Sequence, residues 1–287
     1  MKLVKRVIEA SITLGSGQFG DQQGDTITLT GLRMMASINS VGGEAQGQAA
    51  IRIFGLPLSI MNKLTSVGPI MNQIRLKNKI QISAGDEGSA LRVVFQGVID
   101  TAYAELNAAP DVALAIVAFS AYEAAVKPAN ASAFVGSVDV AFMMQQFATQ
   151  LNLGFKNNGV SVKLSNQSFN GTFLDRINEC ARAAGINYTI DRGVLSIWNQ
   201  MSHTNDDTIT LSPQSGLVGY PALNSQYIAL KSVFIPNAHL GQRVTVSGSE
   251  VESVNGTWTI FTVAHNLESQ TPGGQWFTEL QVFTNGN

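Results

Sequence analysis

The sequence predicts a mainly β protein with a small α+β unit in the middle of the chain. Short runs before Pro128, and again after about Asp207, alternate apolar and polar residues, which is typical of strands. Between them, apolar residues recur at steps of three and four, which is typical of helices that bury one face. The 287 residues suffice for two or three domains of ordinary size.

The first third of the chain predicts strands and one short helix. Asp25–Thr30 alternates most clearly, with Ile27 and Leu29 on one face. Val41-Gly42-Gly43 is a turn signal, and Pro57 can occupy the first position of a helix over Leu58–Leu64. The other predicted strands are Val7–Leu14, Met34–Asn39, Gln48–Phe54, Lys79–Ser83, Leu91–Ile99 and a buried Asp111–Phe119, whose alanines also permit a helix.

The middle region predicts a linker, two helices and a hairpin. We expect a linker over Ala129–Gly136 and then a helix that begins at the N-cap Ser137 and ends before Gly154. Thr172 and Asp175 form a capping-box pair for a second helix, which Gly185 ends. The hairpin joins Tyr188–Ile190 to Val194–Trp198 through a turn at Asp191-Arg192-Gly193.

The last part returns to strands. Asn255-Gly256 is a hairpin signal between two of them. The predicted strands are Thr208–Leu211, Tyr227–Ile235, Arg243–Ser247, Thr257–His265 and Trp276–Phe283.

The low charge content of the chain fits extensive contacts between subunits. Only 13% of residues are charged and the net charge is −2, against about 25% charged residues in an average soluble domain. A basic surface for nucleic acid is therefore absent from the composition. Surfaces buried in contacts lose charge because desolvating an ion is costly. An ordinary β protein of low charge fits the composition equally well.

The single cysteine, Cys180, excludes a disulfide within the chain and fits assembly in a reducing cytoplasm. We expect no secretory signal, because Met1–Arg6 precedes no apolar stretch of the required length. The longest apolar run, Val112–Phe119, is far shorter than a membrane span.

A glycine motif suggests a nucleotide site, but the residues that follow the motif do not fit one. Gly15-Ser16-Gly17-Gln18-Phe19-Gly20 matches G-x-G-x-x-G, but a dinucleotide site needs a helix to follow it. Here Asp21–Asp25 and a strand follow, so we interpret the motif as a loop.

Metal and catalytic motifs are equally weak. His203, His239 and His265 lack ligands at helical spacing, and His203–Asp207 lacks the closing Glu of a calcium loop. Glycoside cleavage would need two convergent carboxylates, for which Glu105, Asp111 and Glu123 are candidates. We interpret Cys180 as a packed residue, and we expect core roles for three tryptophans rather than sugar stacking: Trp198, Trp258 and Trp276.

The C-terminal part contains a series of short motifs in a fixed order. They are Thr210-Leu211-Ser212-Pro213-Gln214-Ser215-Gly216-Leu217-Val218-Gly219-Tyr220-Pro221, Val233–Asn237, Leu240–Val244, Asn255–Trp258, Val263-Ala264-His265 and Gly273–Glu279. With its Ser-Pro-x-x-Gly-Leu run and its valine-x-histidine strand, this series resembles the baseplate hub proteins of contractile-tailed phages.

The upstream segments resemble the same family in the same order, so the similarity covers most of the chain. They are Ala50–Leu56, Lys79–Gly85, Val94–Ile99 and Asp191–Leu195. Each motif is short, and the specificity lies in their order. The chain has no evident appended spike or lysozyme region, so those roles would belong to other polypeptides.

The resemblance implies two related β-barrel domains, at 1–128 and 207–287, that flank an α+β domain at 129–206. It implies a structural subunit and no enzyme, without catalytic, cofactor or metal residues. Three copies would form a ring that adapts a sixfold tail tube to a threefold central spike, beside other baseplate proteins. The subunit would be assembled in the host cytoplasm and located in the virion baseplate, where DNA could pass through the channel without specific binding. The relation extends to the hub part of type VI secretion spikes.

Two other hypotheses remain at this point. A receptor-binding or carbohydrate-binding tail module would expose Trp258 or Trp276. A cell-wall hydrolase would bring acidic residues together in a cleft.

Overall fold

The computed structural model describes residues 4–19, 24–42, 45–65, 78–129 and 132–283. Outside these ranges lie Met1–Leu3, the last motif residue Gly20 together with Asp21–Gln23 after it, the turn residue Gly43 and two residues of the predicted linker, 130–131.

In the described residues of the N-terminal third, seven strands and one helix form, and every strand predicted there is confirmed. Strand β6 runs on to Glu105, well beyond its predicted end at Ile99, and Pro57 is the N-cap of α1 rather than its first residue. The elements are β1 Arg6–Thr13, β2 Thr26–Leu29, β3 Met34–Val41, β4 Gln48–Phe54, α1 Leu58–Leu64, β5 Lys79–Asp86, β6 Arg92–Glu105, a 3-10 turn at Leu106–Ala108, and β7 Ala113–Phe119.

The middle region contains more strands than the sequence predicts. Its elements are α2 Tyr122–Val126, β8 Ser132–Asp139, α3 Val140–Gln150, β9 Gly154–Asn158, β10 Lys163–Phe169, α4 Phe173–Ala184, β11 Ile186–Asp191 and β12 Val194–Asn199.

The predicted linker at Ala129–Gly136 is wrong from Ser132 onward, where β8 pairs with β10. The small residues of this strand give no clear strand pattern in the sequence. In the structure, Phe134 packs edge-to-face against two phenylalanines of the core, Phe147 and Phe169. The predicted N-cap Ser137 is also wrong. Asp139 caps α3 instead, because its carboxylate accepts a hydrogen bond from the Ala141 amide at 2.8 Å.

The second helix and the hairpin agree with the prediction. Thr172 and Asp175 form the capping box of α4, and Gly185 ends it in the left-handed region at φ 62°. The hairpin β11–β12 turns through Arg192 and Gly193, both at positive φ, as a two-residue hairpin turn of this kind requires.

The C-terminal part contains β13 Ile209–Leu211, β14 Ala222–Leu223, β15 Ile228–Val233, β16 Arg243–Val246, a 3-10 turn at Glu252–Val254, β17 Gly256–Ser269 and β18 Trp276–Phe283. Strands β16 and β17 form the predicted hairpin, but Asn255-Gly256 is not its two-residue turn. A longer loop joins them, in which the Asn255 side chain bonds both main-chain groups of Ser249.

Thirteen of the described strands form one sheet, with the order β14-β15-β18-β17-β3-β4-β7-β6-β5-β1-β2 and with β16 and β13 as a branch beside β17. The pairing of β17 with β3 joins the C-terminal strands to the N-terminal ones. The mainly β fold class is therefore confirmed. Among the residues that the structure describes, the strand pairs form an open path and close neither of the two implied barrels.

The same strand order occurs twice in this sheet. The segment β3–β7 pairs in the order β3-β4-β7-β6-β5, and the segment β14–β18 pairs in the order β14-β15-β18-β17-β16. In each segment the fourth strand along the chain, β6 or β17, is 14 residues long. Its first residues pair with one neighbouring strand and its later residues pair with another. A middle core lies between these strand regions and buries the inner faces of α3, α4 and the β11–β12 hairpin.

Candidate functional site

The three candidate catalytic carboxylates each bind a different basic residue. Glu105 pairs with Arg52 at 3.0 Å, Asp111 with Arg33 at 3.1 Å, and Glu123 with Lys79 at 2.9 Å. Such partly exposed ion pairs contribute about 0–1 kcal/mol each. The geometry gives these residues surface pairing roles rather than a shared cleft.

The histidines lie in two unlike environments. The Nε2 of His239 is 2.8 Å from Asp206, whose carboxylate also binds Lys156 of β9. Burial opposes ionisation of Asp206, but hydrogen bonds from Lys156 and His239 outweigh it and lower its pKa to about 2. His203–Asp207 therefore contributes an ion-pair link. Over the described ranges, no three His, Cys, Asp or Glu residues converge as metal ligands would.

The remaining candidates occupy packed positions. Cys180 is fully buried, and burial raises the pKa of its thiol to about 12, which disfavours the reactive thiolate. Trp198 and Trp276 are buried, and Trp258 is half-buried with its indole donating to the Val254 carbonyl. Residues 15–19 of the glycine motif form bends that lead toward β2, so the loop interpretation holds for that part.

Arg192 joins the middle region to the C-terminal strands. From the tip of the β11–β12 hairpin, its guanidinium donates to the carbonyl of Pro236 at 3.1 Å and to that of Ala238 at 2.7 Å. Its Nε lies 3.1 Å from Asp191. The sequence predicts the turn, but not the distant carbonyls that the arginine reaches.

Trp198 provides an apolar contact across the same boundary. It belongs to β12 but packs within the C-terminal core beside Leu240 and Val244. Gly241, at φ 79°, passes so close that an added Cβ would lie 2.8 Å from the indole ring. The close approach therefore requires glycine at this position.

His265 lies at the junction of the two strand regions. In the register of the sheet it stands between Ile38 of β3 and Thr278 of β18, and its Nδ1 is 2.9 Å from the Thr278 hydroxyl. The ring packs edge-to-face on Phe234. Burial lowers the pKa of His265 to about 3, and the nearby Arg192 charge acts in the same direction.

Exposed apolar side chains occur near two places in the large sheet. Tyr103 and Leu106, 45% and 53% exposed, lie at the end of β6. Tyr220 and Leu223, 72% and 52% exposed, lie at and before β14. The sequence interpretation missed both places, because β6 was expected to end at Ile99 and β14 is only two residues long.

A comparison with protein families identifies the family of this chain. The family model described as baseplate hub gp41 matches residues 7–278. The chain belongs to the baseplate hub gp41 family. The resemblance to phage baseplate hubs is confirmed, and the hub family gives the chain a structural role in a tail baseplate. A search of curated proteins found no match.

Solved structures share the fold of this hub protein at low identity. A 43 kDa tail protein of prophage MuSo2 from Shewanella oneidensis is 10% identical, with a TM-score of 0.60 and coverage of 96% of this chain and 97% of that one. A tail protein from Neisseria meningitidis MC58 is 10% identical, with a TM-score of 0.62 and 96% coverage of both chains.

A third structure is the c3393 protein of E. coli, described as a type VI secretion component similar to the T4 bacteriophage tail proteins gp27 and gp5. It is 10% identical to the hub protein, with a TM-score of 0.61 and coverage of 88% of this chain and 73% of that one. Across the described parts of the hub chain, no helix is long and apolar enough to cross a membrane.

Replacing Arg192 with alanine should destabilise the hub protein by about 2–4 kcal/mol, because the carbonyls of Pro236 and Ala238 lose a charged donor. Urea unfolding measures the change. Arg92→Ala, at an exposed strand residue, is the matched control and should change stability by less than about 0.5 kcal/mol. Equal effects of the two substitutions would contradict the role given to Arg192.

Acid should destabilise the fold through His265. The unfolded chain binds a proton on this residue near pH 6.5, whereas the folded chain binds it only near pH 3. This contribution to stability is therefore complete above pH 6.5 and decreases as the pH falls toward 3. Between pH 6.5 and 5, the loss should be on the order of 2 kcal/mol.

The variant His265→Gln keeps a hydrogen-bonding side chain but does not titrate. Urea unfolding at pH 6.5 and pH 5 should show a smaller difference in the variant than in the parent protein. All other titratable groups are common to both proteins, so their contributions to the pH dependence cancel in this comparison. An unchanged pH dependence in the variant would disprove the assignment.

Proposed function

We propose that this chain is the hub subunit that couples the tail tube to the central spike. Three copies form a ring, and each copy contributes two related strand modules. Six similar modules then face a sixfold tube, while the ring as a whole keeps the threefold symmetry of a spike. Closed symmetry of this kind requires large contacts and no catalytic group.

The repeated strand order carries this proposal. The segments β3–β7 and β14–β18 pair in the same sequence of neighbours, and each contains one long strand with a bulge, in β6 at Ile99/Thr101 and in β17 at Ile260/Thr262. The strands β5 and β16 also occupy matching places, since Lys79 pairs with Val98 and Arg243 pairs with Thr259 just before those bulges.

The proposed domains follow from this repeat. Residues 1–128 and 207–287 form two barrel-like modules, and residues 129–206 form the α+β domain between them. Three clusters of buried apolar residues support the division. A few residues near the domain borders pack in the core of the neighbouring domain. Trp198 enters the C-terminal core, and Leu267 and Trp276 enter the N-terminal one.

The proposed partners are a tail tube protein, the central spike protein and other baseplate proteins. Membership of the hub family and the charged fraction of 13% support a subunit that is buried in contacts on several sides. The proposed location is the virion baseplate, after assembly in the host cytoplasm.

The geometry does not favour the two alternatives. A hydrolase would need its carboxylates free to act together, but Glu105, Asp111 and Glu123 bind separate basic residues. A carbohydrate-binding module would present tryptophan faces, but Trp276 is 4% exposed and Arg6 lies over its ring.

Light scattering on the purified protein tests the proposal. The expected mass is about three times that of the 30.6 kDa chain, either alone or after mixing with tube or spike protein, because the ring needs three copies. Negative-stain images should show a threefold ring. A stable monomer that binds neither partner would overturn the proposed function.

A further inference from the structure

A row of side chains crosses the exposed face of the first repeated segment, β3–β7. Val98 of β6 stands opposite Lys79 of β5 on one side and opposite Phe119 of β7 on the other. Asn39 of β3 continues the row through its partner Gln48 of β4, which also stands opposite Phe119. Lys79 and Asn39 are exposed and Phe119 is half-buried, so the row presents a cation, an aromatic ring and an amide.

The second repeated segment, β14–β18, carries a row of the same kind. Thr259 of β17 stands opposite Arg243 of β16 on one side and opposite Phe283 of β18 on the other. Beyond Phe283, the main-chain amide of Asn224 donates to the carbonyl of Tyr227, the residue directly before β15. Arg243 and Asn224 are exposed and Phe283 is half-buried. The second row therefore repeats the cation, the aromatic ring and the amide in the same order.

Buried contacts place the two cations at equivalent points of the repeat. The residues directly before them, Asn78 and Gln242, are both 4% exposed. The Asn78 carbonyl accepts a hydrogen bond from the Ile99 amide at 2.8 Å, and the Gln242 carbonyl accepts one from the Ile260 amide at 2.9 Å. Ile99 and Ile260 each lie at the start of the bulge in their long strand. The two rows are thus equivalent in geometry as well as in composition.

In each row a second aromatic ring packs on the phenylalanine. Phe119 stacks on Tyr122 of α2 with ring centres 6.5 Å apart, and Phe283 packs edge-to-face on Phe261 with ring centres 5.9 Å apart. Tyr122 follows β7 along the chain, whereas Phe261 belongs to the bulge of β17. Different parts of the chain therefore supply the same feature, an aromatic pair that offers apolar area to a partner.

Other positions on the same face of the two segments differ in chemistry. Tyr103 stands opposite Ala115 in the first segment, and the equivalent pair in the second segment is Ala264 opposite Glu279. An aromatic residue is thus replaced by alanine, and an alanine by a carboxylate. Against this background, the agreement between the two rows is selective.

The symmetry of a partner decides where such agreement is needed. A sixfold partner can meet all six modules of the proposed ring in the same way only where the two modules of one chain present the same chemistry. A threefold partner meets each chain once and requires no agreement between modules. The matched rows therefore favour a sixfold partner over a threefold one.

The charge of the rows indicates what the partner presents. Lys79 forms an ion pair with Glu123 at 2.9 Å, but the two side chains are 54% and 44% exposed. An exposed pair of this kind is weak, so a carboxylate of a partner can join or replace it. Arg243 is the exposed cation of the other row. In each row the cation lies two strands from the phenylalanine, about 10 Å away.

We propose that the two rows are the surface that binds the tail tube, and that each row engages one tube subunit through a carboxylate at the cation and an apolar side chain at the aromatic pair. This inference rests on the proposed function, because only a ring of three chains presents six such rows.

Charge reversal tests the equivalence of the rows. Lys79→Glu and Arg243→Glu should each weaken binding of the purified tail tube protein at least about tenfold, because each variant places a like charge against three of the six carboxylates. The two effects should agree within about threefold. Raising the salt concentration should reduce both effects, since exposed charges are screened. Biolayer interferometry measures the affinities, and light scattering checks that each variant keeps the oligomeric state of the parent.

Two controls accompany these variants. The double variant Lys79→Arg/Arg243→Lys exchanges the two bases and should bind the tube within about threefold of the parent protein, because each row needs a cation rather than a particular one. Lys163→Glu reverses an exposed charge on β10 of the middle region, which occurs once in each chain. It should leave binding to the tube unchanged.

The outcomes separate this inference from the proposed function. Loss of tube binding in only one of the two reversal variants, or in neither, would overturn the matched rows and leave the hub function standing. Weaker binding of the spike protein with unchanged binding of the tube would also overturn them. A parent protein that binds neither tube nor spike would overturn both the inference and the proposed function.

Discussion

The large sheet depends on the way strand β17 divides its two edges among three neighbours. Strand β18 takes one edge, and β16 and β3 share the other in succession. A shift of register between Ile260 and Thr262 interrupts the ladder where the change of neighbour occurs. A bulge bends and twists a strand, so the second half of β17 can turn away from β16 and reach β3. Without this division the N-terminal and C-terminal strands would be two separate sheets.

The middle region is fixed to this frame without sharing its sheet. Arg192 supplies hydrogen bonds to main-chain carbonyls, Trp198 supplies apolar packing, and Asp206 supplies ion pairs to Lys156 and His239. These contacts differ in their dependence on salt, temperature and pH, so no single change of conditions weakens all of them equally. The hairpin is thereby held at a defined position beside His265 and the strand joint.

The sequence predicted elements where the local pattern is strong and missed features that depend on distant partners. Alternation revealed Gln48–Phe54 and Trp276–Phe283 with correct bounds, and the Thr172–Asp175 pair revealed the start of α4. Strand β8 was missed, because its small residues have a linker-like composition and only two of its described side chains, Phe134 and Val138, pack against the core.

The end of β6 was missed for a different reason. The bulge at Asp100 interrupts the alternation of side chains along the strand. The predicted strand therefore ends at Ile99, well before the observed end of β6 at Glu105. No element was therefore predicted for the exposed residues beyond the bulge, Tyr103 and Leu106. Which strands share an edge is set by register between distant segments, and a local pattern does not contain that information.

The β17–β3 joint fixes how the N-terminal and C-terminal strand regions lie relative to each other. It consists of eight residue pairs, with the Ser37 hydroxyl donating to the Asn266 side chain across it. A slip of this register by one residue would turn every side chain of one strand to the opposite face of the sheet. Ile38 and His265 stand opposite each other in this register and are both buried, so a slip would expose apolar Ile38 and break the packing of His265. The burial of this pair therefore holds the two strand regions in one relative position.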